Sequence, residues 1–457
     1  MLLWLLILIP LVGAFLGLIF PNHRALLGMW FMLLTFLHSL YLLLLYNPNT
    51  AQFQFQFMAL GLDGLSLVLI LLTTFLLPIC LLVEPDLALP LLAIEALLMA
   101  VFLVLDVMIF YLCFESVLIP LFYLIGKYQG RARRLSAALS LFLYTLGGSL
   151  LMLISIGLLY LEASTTNLLA LLTVPISTDY QLLLFLGFFI AFAVKIPMIP
   201  FHLWLPEAHV ESPTGGSILL AGILLKLGGY GLLRFTLPLF PFASDYYQPF
   251  VVVLALIGIV YAGLTAIRQI DMKKIIAYSS VAHMNLAILG IFSNNLLGLE
   301  GSIHMMLAHG LVSGALFYCV GLLYDRYHTR LVRYYRGLAI YMPLFAIFFL
   351  FFTLSNVAFP GSANFIAEFL VFTGLLDLNP FLALIASLGL LLTATYSLWL
   401  FNRVCFGAST SYICQFNDLT KPDVFTLSLL AFTTLLFGLR PNLILDLIHL
   451  TSFSLLH

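Results

Sequence analysis

Charged residues are scarce in this sequence. Only 8% of its 457 residues are Asp, Glu, Lys or Arg, and 63% are hydrophobic, whereas a typical soluble domain has about 25% charged residues. No long hydrophilic segment occurs in the chain, which excludes a large water-soluble catalytic domain. The net charge of −1 gives no basis for binding nucleic acid or another polyanion. The composition therefore predicts a polytopic membrane protein.

Motifs for metals and redox cofactors are also missing. The sequence contains five cysteines: Cys80, Cys113, Cys319, Cys405 and Cys414. None has a C-x-x-C or other metal-ligand spacing, which argues against an iron–sulfur or zinc site. There is no dinucleotide-binding fingerprint or haem motif, and the glycine-rich KLGGYG at 226–231 lies in an apolar run, where close helix packing explains the glycines. We therefore expect no metal, no cofactor and no electron transfer in this chain.

Apolar runs long enough to cross a bilayer fill most of the sequence. A transmembrane helix needs roughly 17–25 apolar residues, and about 14 such spans can be placed. They begin near residues 2, 26, 65, 87, 107, 135, 181, 213, 249, 275, 298, 341, 380 and 424. The first run has neither a basic flank nor an Arg- and Ser-rich leader, so we expect a retained span. Between spans 2 and 3, AQFQFQFMALGLDG alternates polar and apolar residues and predicts a surface hairpin.

Prolines interrupt two of these spans at matching places. Span 7 contains Pro197 and Pro200, and span 12 contains Pro360–Gly361 within about 36 residues. Each break lies in the fourth helix of a block of five spans, either spans 4–8 or spans 9–13. Because five is an odd number, the second block must be inverted in the membrane relative to the first. An ordinary packing kink is the alternative for either proline alone, but paired broken helices in inverted repeats indicate an ion pathway. The predicted segments are 1–86, 87–240, 241–403 and 404–457.

Basic residues are concentrated on one side of the predicted spans. Arg234 and Arg440 are the only basic residues on the opposite face and the C-terminal end. Fourteen others lie in the turns after odd-numbered spans: Arg24, Lys127, Arg131, Arg133, Arg134, Arg268, Lys273, Lys274, Arg326, Arg330, Arg333, Arg336, Arg403 and Lys421. By the positive-inside rule, these turns face the cytoplasm or mitochondrial matrix and both termini face the other side.

Several ionisable residues lie within the predicted spans. A lysine at the bilayer centre costs about 2.5–3.5 kcal/mol by insertion scales, so such residues are functional candidates by default. A lone buried histidine, in contrast, is more often structural. Glu115 lies nine residues after Asp106, about 13.5 Å along a helix and thus near mid-membrane. The full set is Glu115, Lys195, Lys226, His283, His304, His309 and Glu368.

A second group of ionisable residues lies in LPEAHVESP. Glu207, His209 and Glu211 fall in the predicted turn between spans 7 and 8. Their spacing matches no zinc motif, and we interpret them as capping and loop-packing residues.

Four stretches of the sequence carry a family resemblance: VKIPMIPFHLWLPEAHVESPTGGSILLAGILLKLGGYGLLRF, RQIDMKKIIAYSSVAHMNL, AHGLVSGALFYCVGLLYDRYHTRLVRYYRGL and FPGSANFIAEFL. They resemble the chain 4 family of respiratory complex I, the proton-pumping NADH:ubiquinone oxidoreductase, in its plant and algal mitochondrial forms. The similarity runs from about residue 60 to 410. The wider family includes complex I chains 2 and 5 and the multisubunit Na⁺/H⁺ antiporters. An acid at the position of Glu368 is typical of chain 4, whereas the other members of the wider family have lysine there.

The resemblance implies an all-α fold of 14 spans with two inverted five-helix repeats. It also implies that a fifth-span glutamate, Glu115, pairs with a seventh-span lysine, Lys195, and that Glu368 is the exit-side acid. His304 has no counterpart and is treated as a bystander. The implied proton relay comprises Glu115, Lys195, Lys226, His283, His309 and Glu368.

The same resemblance implies the molecular setting. FMN, iron–sulfur clusters, NADH and ubiquinone would belong to other subunits. The partners would be neighbouring antiporter-like chains and other complex I membrane subunits, supernumerary subunits and lipids. The location would be the mitochondrial inner membrane, with basic loops in the matrix and both termini in the intermembrane space. This chain would carry the proton translocation of a subunit of NADH:ubiquinone reductase.

Two other classes of protein remain open at this point. A subunit of a multisubunit Na⁺/H⁺ antiporter would have the same lysines, and a purely structural spacer would tolerate their neutralisation. For a relay, separation of the Glu115–Lys195 charge pair supplies the driving force. Such a pair at about 4 Å interacts by roughly 4 kcal/mol at an effective dielectric near 20. Moving one proton against about 150–200 mV costs roughly 3.5–4.6 kcal/mol. Separation of one such charge pair can therefore drive the transfer of one proton.

Overall fold

The computed structural model describes residues 2–50, 53–127, 132–408 and 417–456. Arg131, one of the basic residues counted above, and Cys414 lie outside the described residues. The described chain is almost entirely helical, apart from one short hairpin, which confirms the predicted all-α membrane fold.

The first half of the chain contains helices α1 to α13. Their bounds are α1 Leu2–Ile19, α2 Arg24–Leu45, α3 Gly64–Val83, α4 Ala88–Leu103, α5 Val107–Ser116, α6 Leu118–Lys127, α7 Ala132–Ala163, α8 Leu168–Leu171, α9 Thr178–Lys195, α10 Trp204–Glu211, α11 Thr214–Leu219, α12 Leu225–Gly231 and α13 Leu237–Leu239. Short 3-10 turns at Pro21–His23 and Pro85–Leu87 precede α2 and α4.

The second half contains helices α14 to α22. Their bounds are α14 Pro241–Arg268, α15 Met272–Ile291, α16 Leu296–Tyr327, α17 Leu338–Tyr341, α18 Pro343–Asn356, α19 Ala363–Leu378, α20 Pro380–Cys405, α21 Lys421–Leu439 and α22 Asn442–Leu456. A 3-10 turn at Val332–Tyr334 precedes α17.

The predicted hairpin is present, but its second strand is buried and does not lie on the surface as expected. Strands β1 (Gln54–Phe57) and β2 (Leu60–Leu62) pair antiparallel between α2 and α3. Asp63 then begins α3, because its side chain accepts a hydrogen bond from the Ser66 backbone N–H at 2.9 Å while the Ser66 hydroxyl accepts one from the Asp63 backbone. This reciprocal cap satisfies two backbone donors that a helix start otherwise leaves open.

Thirteen helices in the described ranges are long and apolar enough to cross a membrane. The predicted twelfth span forms two shorter helices, α18 and α19, separated by residues 357–362. The break predicted around Pro360–Gly361 is thus present. The count of about 14 spans and the two inverted repeats remain predictions.

The predicted break in span 7 is also present. Helix α9 ends at Lys195, and regular helix resumes only at α10. Pro197 and Pro200 lie in the gap, where each lacks the N–H needed to continue the helix.

Three features differ from the sequence-based expectations. Span 5 is interrupted at Val117, because Pro120 cannot donate to the carbonyl of Ser116 and its ring crowds that turn. Span 8 contains two π-helical segments, Leu220–Leu224 and Leu232–Thr236. The 15-residue helix α22 follows the last long span; it is shorter than a full crossing, which explains why a span-length search passes over it.

The chain divides into two compact units. Unit 1 comprises Met1–Trp204, Glu211–Val251 and Asp446–His457, and unit 2 comprises Leu205–Val210 and Val252–Leu445. Unit 1 contains three predicted relay residues, namely Glu115, Lys195 and Lys226, and unit 2 contains the other three, His283, His309 and Glu368. The division into four segments at residues 86, 240 and 403 stays a prediction.

Candidate functional site

In unit 1, Lys195 occupies the C-terminal end of α9. Its side chain is buried, with 3% of its surface exposed, and the ammonium nitrogen lies 4.4 Å from the centre of the Phe114 ring. A cation over an aromatic face is stabilised by the ring quadrupole. The negative end of a helix dipole also favours a cation there. The end of α9 and the Phe114 ring of α5 therefore each compensate for a charge within the membrane.

Glu115 lies at the interruption of span 5, next in sequence to Phe114. Its carboxylate interacts electrostatically with Lys195, and Ser149 of α7 lies beside it. Among the residues that the structure describes, no carboxylate oxygen of Glu115 lies within 4.0 Å of the Lys195 ammonium nitrogen, so the two side chains form no ion pair. The structure thus brings the predicted partners into electrostatic range without locking them into direct contact.

Lys226 lies on α12 between the two π-helical segments and is completely buried. Its ammonium donates a hydrogen bond to the backbone carbonyl of Ala221, in the π-helical turn that precedes it. Helical side chains point back toward the N-terminus, which brings the Lys226 side chain toward this carbonyl. π-Helical turns occur frequently at functional sites, and here the turn provides a hydrogen-bond acceptor for a buried lysine side chain.

Arg234, eight residues further on, has a structural partner. Its guanidinium contacts both carboxylate oxygens of Asp63 at 2.6 Å and donates to the Tyr230 hydroxyl at 3.2 Å. The Phe53 ring lies 4.9 Å from the guanidinium carbon. This buried pair joins the helix start of α3 to the end of span 8. It also neutralises one of the two basic residues counted on the less basic face.

In unit 2, three predicted residues form a cluster. The Nδ1 atom of His283 on α15 lies 3.3 Å from a carboxylate oxygen of Glu368 on α19. The rings of His283 and His309, the latter on α16, have centroids 5.6 Å apart. All three side chains are at most 3% exposed. The cluster joins three helices through groups that can each accept and release a proton.

One small cavity adjoins this cluster, and a second is lined by other residues of the same unit. The first is lined by His283, Glu368 and Thr393, with apolar residues completing its wall. Its volume of about 10 Å³ is roughly what one water molecule needs. A second cavity of the same size contacts Ser279, one helical turn before His283, and the Tyr396 side chain. The chemistry of both linings suits single bound waters.

The remaining sequence candidates have different surroundings. His304 is fully buried on α16, near the start of α19. Glu207, His209 and Glu211 were expected in a turn, but they lie on helix α10 because the chain resumes helical structure after the break. His209 stacks on Phe317 with ring centroids 4.6 Å apart. No group of three metal-ligand side chains occurs among the residues described.

One buried acid was missed at the sequence level. Glu95 on α4 has no exposed surface, and the Thr35 hydroxyl of α2 contacts one of its carboxylate oxygens. The sequence does contain a signal for a buried acid, because Glu95 is a lone carboxyl within the apolar run ALPLLAIEALLMAVFL.

Comparisons with known proteins identify the family of this chain. Residues 86–393 match the family described as NADH:quinone oxidoreductase/Mrp antiporter, TM. The chain is 49% identical to NADH-ubiquinone oxidoreductase chain 4 of Chondrus crispus, an alignment that covers 98% of this chain and 96% of that one. The chain belongs to the NADH-ubiquinone oxidoreductase chain 4 family. The relative of the same name from Marchantia polymorpha is 48% identical, with coverage of 98% and 95%.

Solved structures show the same fold. A chain of respiratory complex I from Thermus thermophilus with bound NADH superposes with a TM-score of 0.91 at 32% identity, covering 100% of this chain and 99% of that one. A chain of the Mrp complex from a Dietzia species superposes with a TM-score of 0.89 at 20% identity, covering 99% and 97%. The second likeness shows a shared fold alone. The high identities lie with chain 4, which favours the complex I interpretation over the antiporter alternative.

Proposed function

We propose that this chain translocates protons as an antiporter-like membrane subunit of NADH:ubiquinone oxidoreductase. Six intramembrane side chains act in one series: Glu115, Lys195, Lys226, His283, His309 and Glu368. The chain itself holds no redox cofactor. Electron transfer through FMN and iron–sulfur clusters, and the binding of NADH and ubiquinone, belong to other subunits.

The observation that carries this proposal is the cluster of His309, His283 and Glu368. Three helices each contribute one proton-exchanging group to a buried site, and a water-sized cavity touches two of the three. A purely structural spacer gains nothing from such a cluster, because buried ionisable groups are costly within a membrane.

The pair of Glu115 and Lys195 supplies the second element. Because the two charges interact without direct contact, a small rearrangement changes their attraction. Complete separation of such a pair from about 4 Å costs roughly 4 kcal/mol at an effective dielectric near 20, which is the upper bound for the switch. That change is comparable with the roughly 3.5–4.6 kcal/mol needed to move one proton against about 150–200 mV.

We also propose the setting in which the relay works. The chain spans the mitochondrial inner membrane, with its basic turns in the matrix and both termini in the intermembrane space. Pairing of Arg234 with Asp63 supports this orientation, because it removes one of only two basic charges from the opposite face. The partners are neighbouring antiporter-like chains, other membrane subunits of complex I, supernumerary subunits and lipids.

Replacement of Lys195 by methionine tests the proposal. The variant Lys195→Met keeps an unbranched side chain in the same space, so the assembled complex should form but pump far fewer protons per NADH oxidised. Lys274→Met, at the start of α15, is the matched control and should pump normally. If an assembled Lys195→Met complex pumps the wild-type number of protons per NADH oxidised, the proposal is wrong. Sodium-dependent transport by the chain without redox partners would instead support the antiporter class.

A further inference from the structure

Unit 1 contains a large open groove on its surface. The groove lies between α1, α4 and α6 and has a volume of about 1100 Å³. Its walls are mostly apolar side chains, including Leu18, Leu89, Pro90, Leu97, Ile119 and Pro120. Such a volume is slightly above the usual range of small-ligand sites. The groove is separate from the proposed relay residues, none of which lines it.

Two opposite charges stand at one end of the groove. Arg24 begins α2, and its Nε donates to the carbonyl oxygen of Gly17 at 3.0 Å, which fixes the guanidinium beside the end of α1. Asp86 lies in the 3-10 turn before α4. Both side chains are exposed. Among the described residues, neither has an ion-pair partner within 4.0 Å, not even the other.

The depth of the groove matches one leaflet of a bilayer. The lining extends from Asp86, in the 3-10 turn before α4, to Leu97 on α4. The two residues are eleven apart in sequence, which is about 16 Å at helical rise. The hydrocarbon core of a bilayer is about 30 Å thick. A neighbouring transmembrane helix would need a groove that runs the whole thickness, whereas an acyl chain needs half of it.

We propose that this groove binds one phospholipid whose headgroup carries both a phosphate and a primary amine. Arg24 takes the phosphate, for which its planar guanidinium is suited, and Asp86 takes the ammonium. The acyl chains lie along α4 against Leu89 and Leu97. A purely anionic headgroup would place negative charge against Asp86, and a choline headgroup would offer no N–H donors to that carboxylate. This site goes beyond proton translocation and does not depend on it.

The unmodified complex provides the first test. The purified complex is reconstituted with a phosphatidylethanolamine probe that carries a photoactivatable group in its acyl chain. After illumination, the probe should label peptides of α4 between Asp86 and Leu103. Excess unlabelled phosphatidylethanolamine should abolish that labelling, whereas phosphatidylcholine or phosphatidylglycerol should not. Absence of label on α4, or equal competition by all three lipids, contradicts the proposal.

Variants provide the second test. Arg24→Gln and Asp86→Asn should each remove one tightly bound phosphatidylethanolamine per complex, counted by quantitative mass spectrometry. Arg133→Gln, an exposed basic residue outside the groove, is the control and should retain it. Loss with Arg24→Gln but not with Asp86→Asn would indicate an anionic lipid and overturn the assignment.

A groove-filling variant distinguishes a lipid from a protein occupant. Ala93→Trp should displace the lipid, whereas Val12→Trp, on an exposed face of α1 that points away from Ala14 and Leu18, should not. If α4 instead crosslinks to a peptide of a neighbouring subunit, the groove is a protein interface and the lipid proposal fails. Proton pumping is measured on the same preparations, so failure of the lipid site and failure of the relay give separate readouts.

Discussion

Replacement of Glu368 by glutamine perturbs the buried cluster at its acidic member. Glutamine has nearly the same shape and can still accept a hydrogen bond from His283, but it carries no charge. At the observed 3.3 Å between His283 Nδ1 and the carboxylate oxygen, a full charge pair is worth about 5 kcal/mol at an effective dielectric near 20. A protonated His283 loses that attraction in the variant.

The loss is as large as the work of translocation. Moving one proton against about 150–200 mV costs roughly 3.5–4.6 kcal/mol, so a relay without the Glu368 charge cannot load His283 at the same energy. We therefore expect assembled Glu368→Gln complexes in sealed vesicles to translocate fewer protons per NADH oxidised. The assay is quenching of a pH-sensitive dye, normalised to the rate of NADH oxidation.

The matched control lies on the same helix. Asp377 is an exposed acid near the C-terminal end of α19, and Asp377→Asn should keep the wild-type ratio. If Glu368→Gln also keeps that ratio in a fully assembled complex, the assignment of Glu368 to the relay is wrong, whatever its contact with His283.

Two further predictions concern stability. Asp63→Ala leaves Arg234 buried without its carboxylate, which should cost about 3–5 kcal/mol and appear as a lower unfolding temperature or a lower yield of assembled complex. A methyl group at Gly231 would overlap the Phe192 ring, so Gly231→Ala should cost about 1–3 kcal/mol through overpacking. Gly147→Ala is its control, because nothing lies within 4 Å of the added Cβ, and equal stability of both variants would contradict the packing argument.

The membrane fold could be predicted from the sequence because its signals are local. Apolar run length identifies the spans, alternation identifies the hairpin, and Pro197 with Pro200 marks the break after Lys195. The break at Val117 has an equally local signal in Pro120. The π-helical turns around Lys226 had weaker signals, since they depend on how neighbouring helices pack against the chain.

The contacts within the candidate site could not be predicted in the same way. His283 and Glu368 are 85 residues apart in sequence, and Asp63 and Arg234 are 171 apart. The cost of burying charge predicts that such residues need partners, but it does not say which partners. The family resemblance supplied candidate roles, and the structure supplied the distances within each unit.

In the proposed relay, the three residues of unit 1 and the cluster of His283, His309 and Glu368 in unit 2 act in one series. The most direct test is the number of protons translocated per NADH oxidised by the assembled complex with Lys195→Met, with Glu368→Gln and with both changes. For groups in series, the double variant should lose no more than the worse single variant. A single relay would be contradicted if the fractional losses of the two single variants multiplied in the double variant. It would also be contradicted if either single variant kept the wild-type number of protons per NADH oxidised.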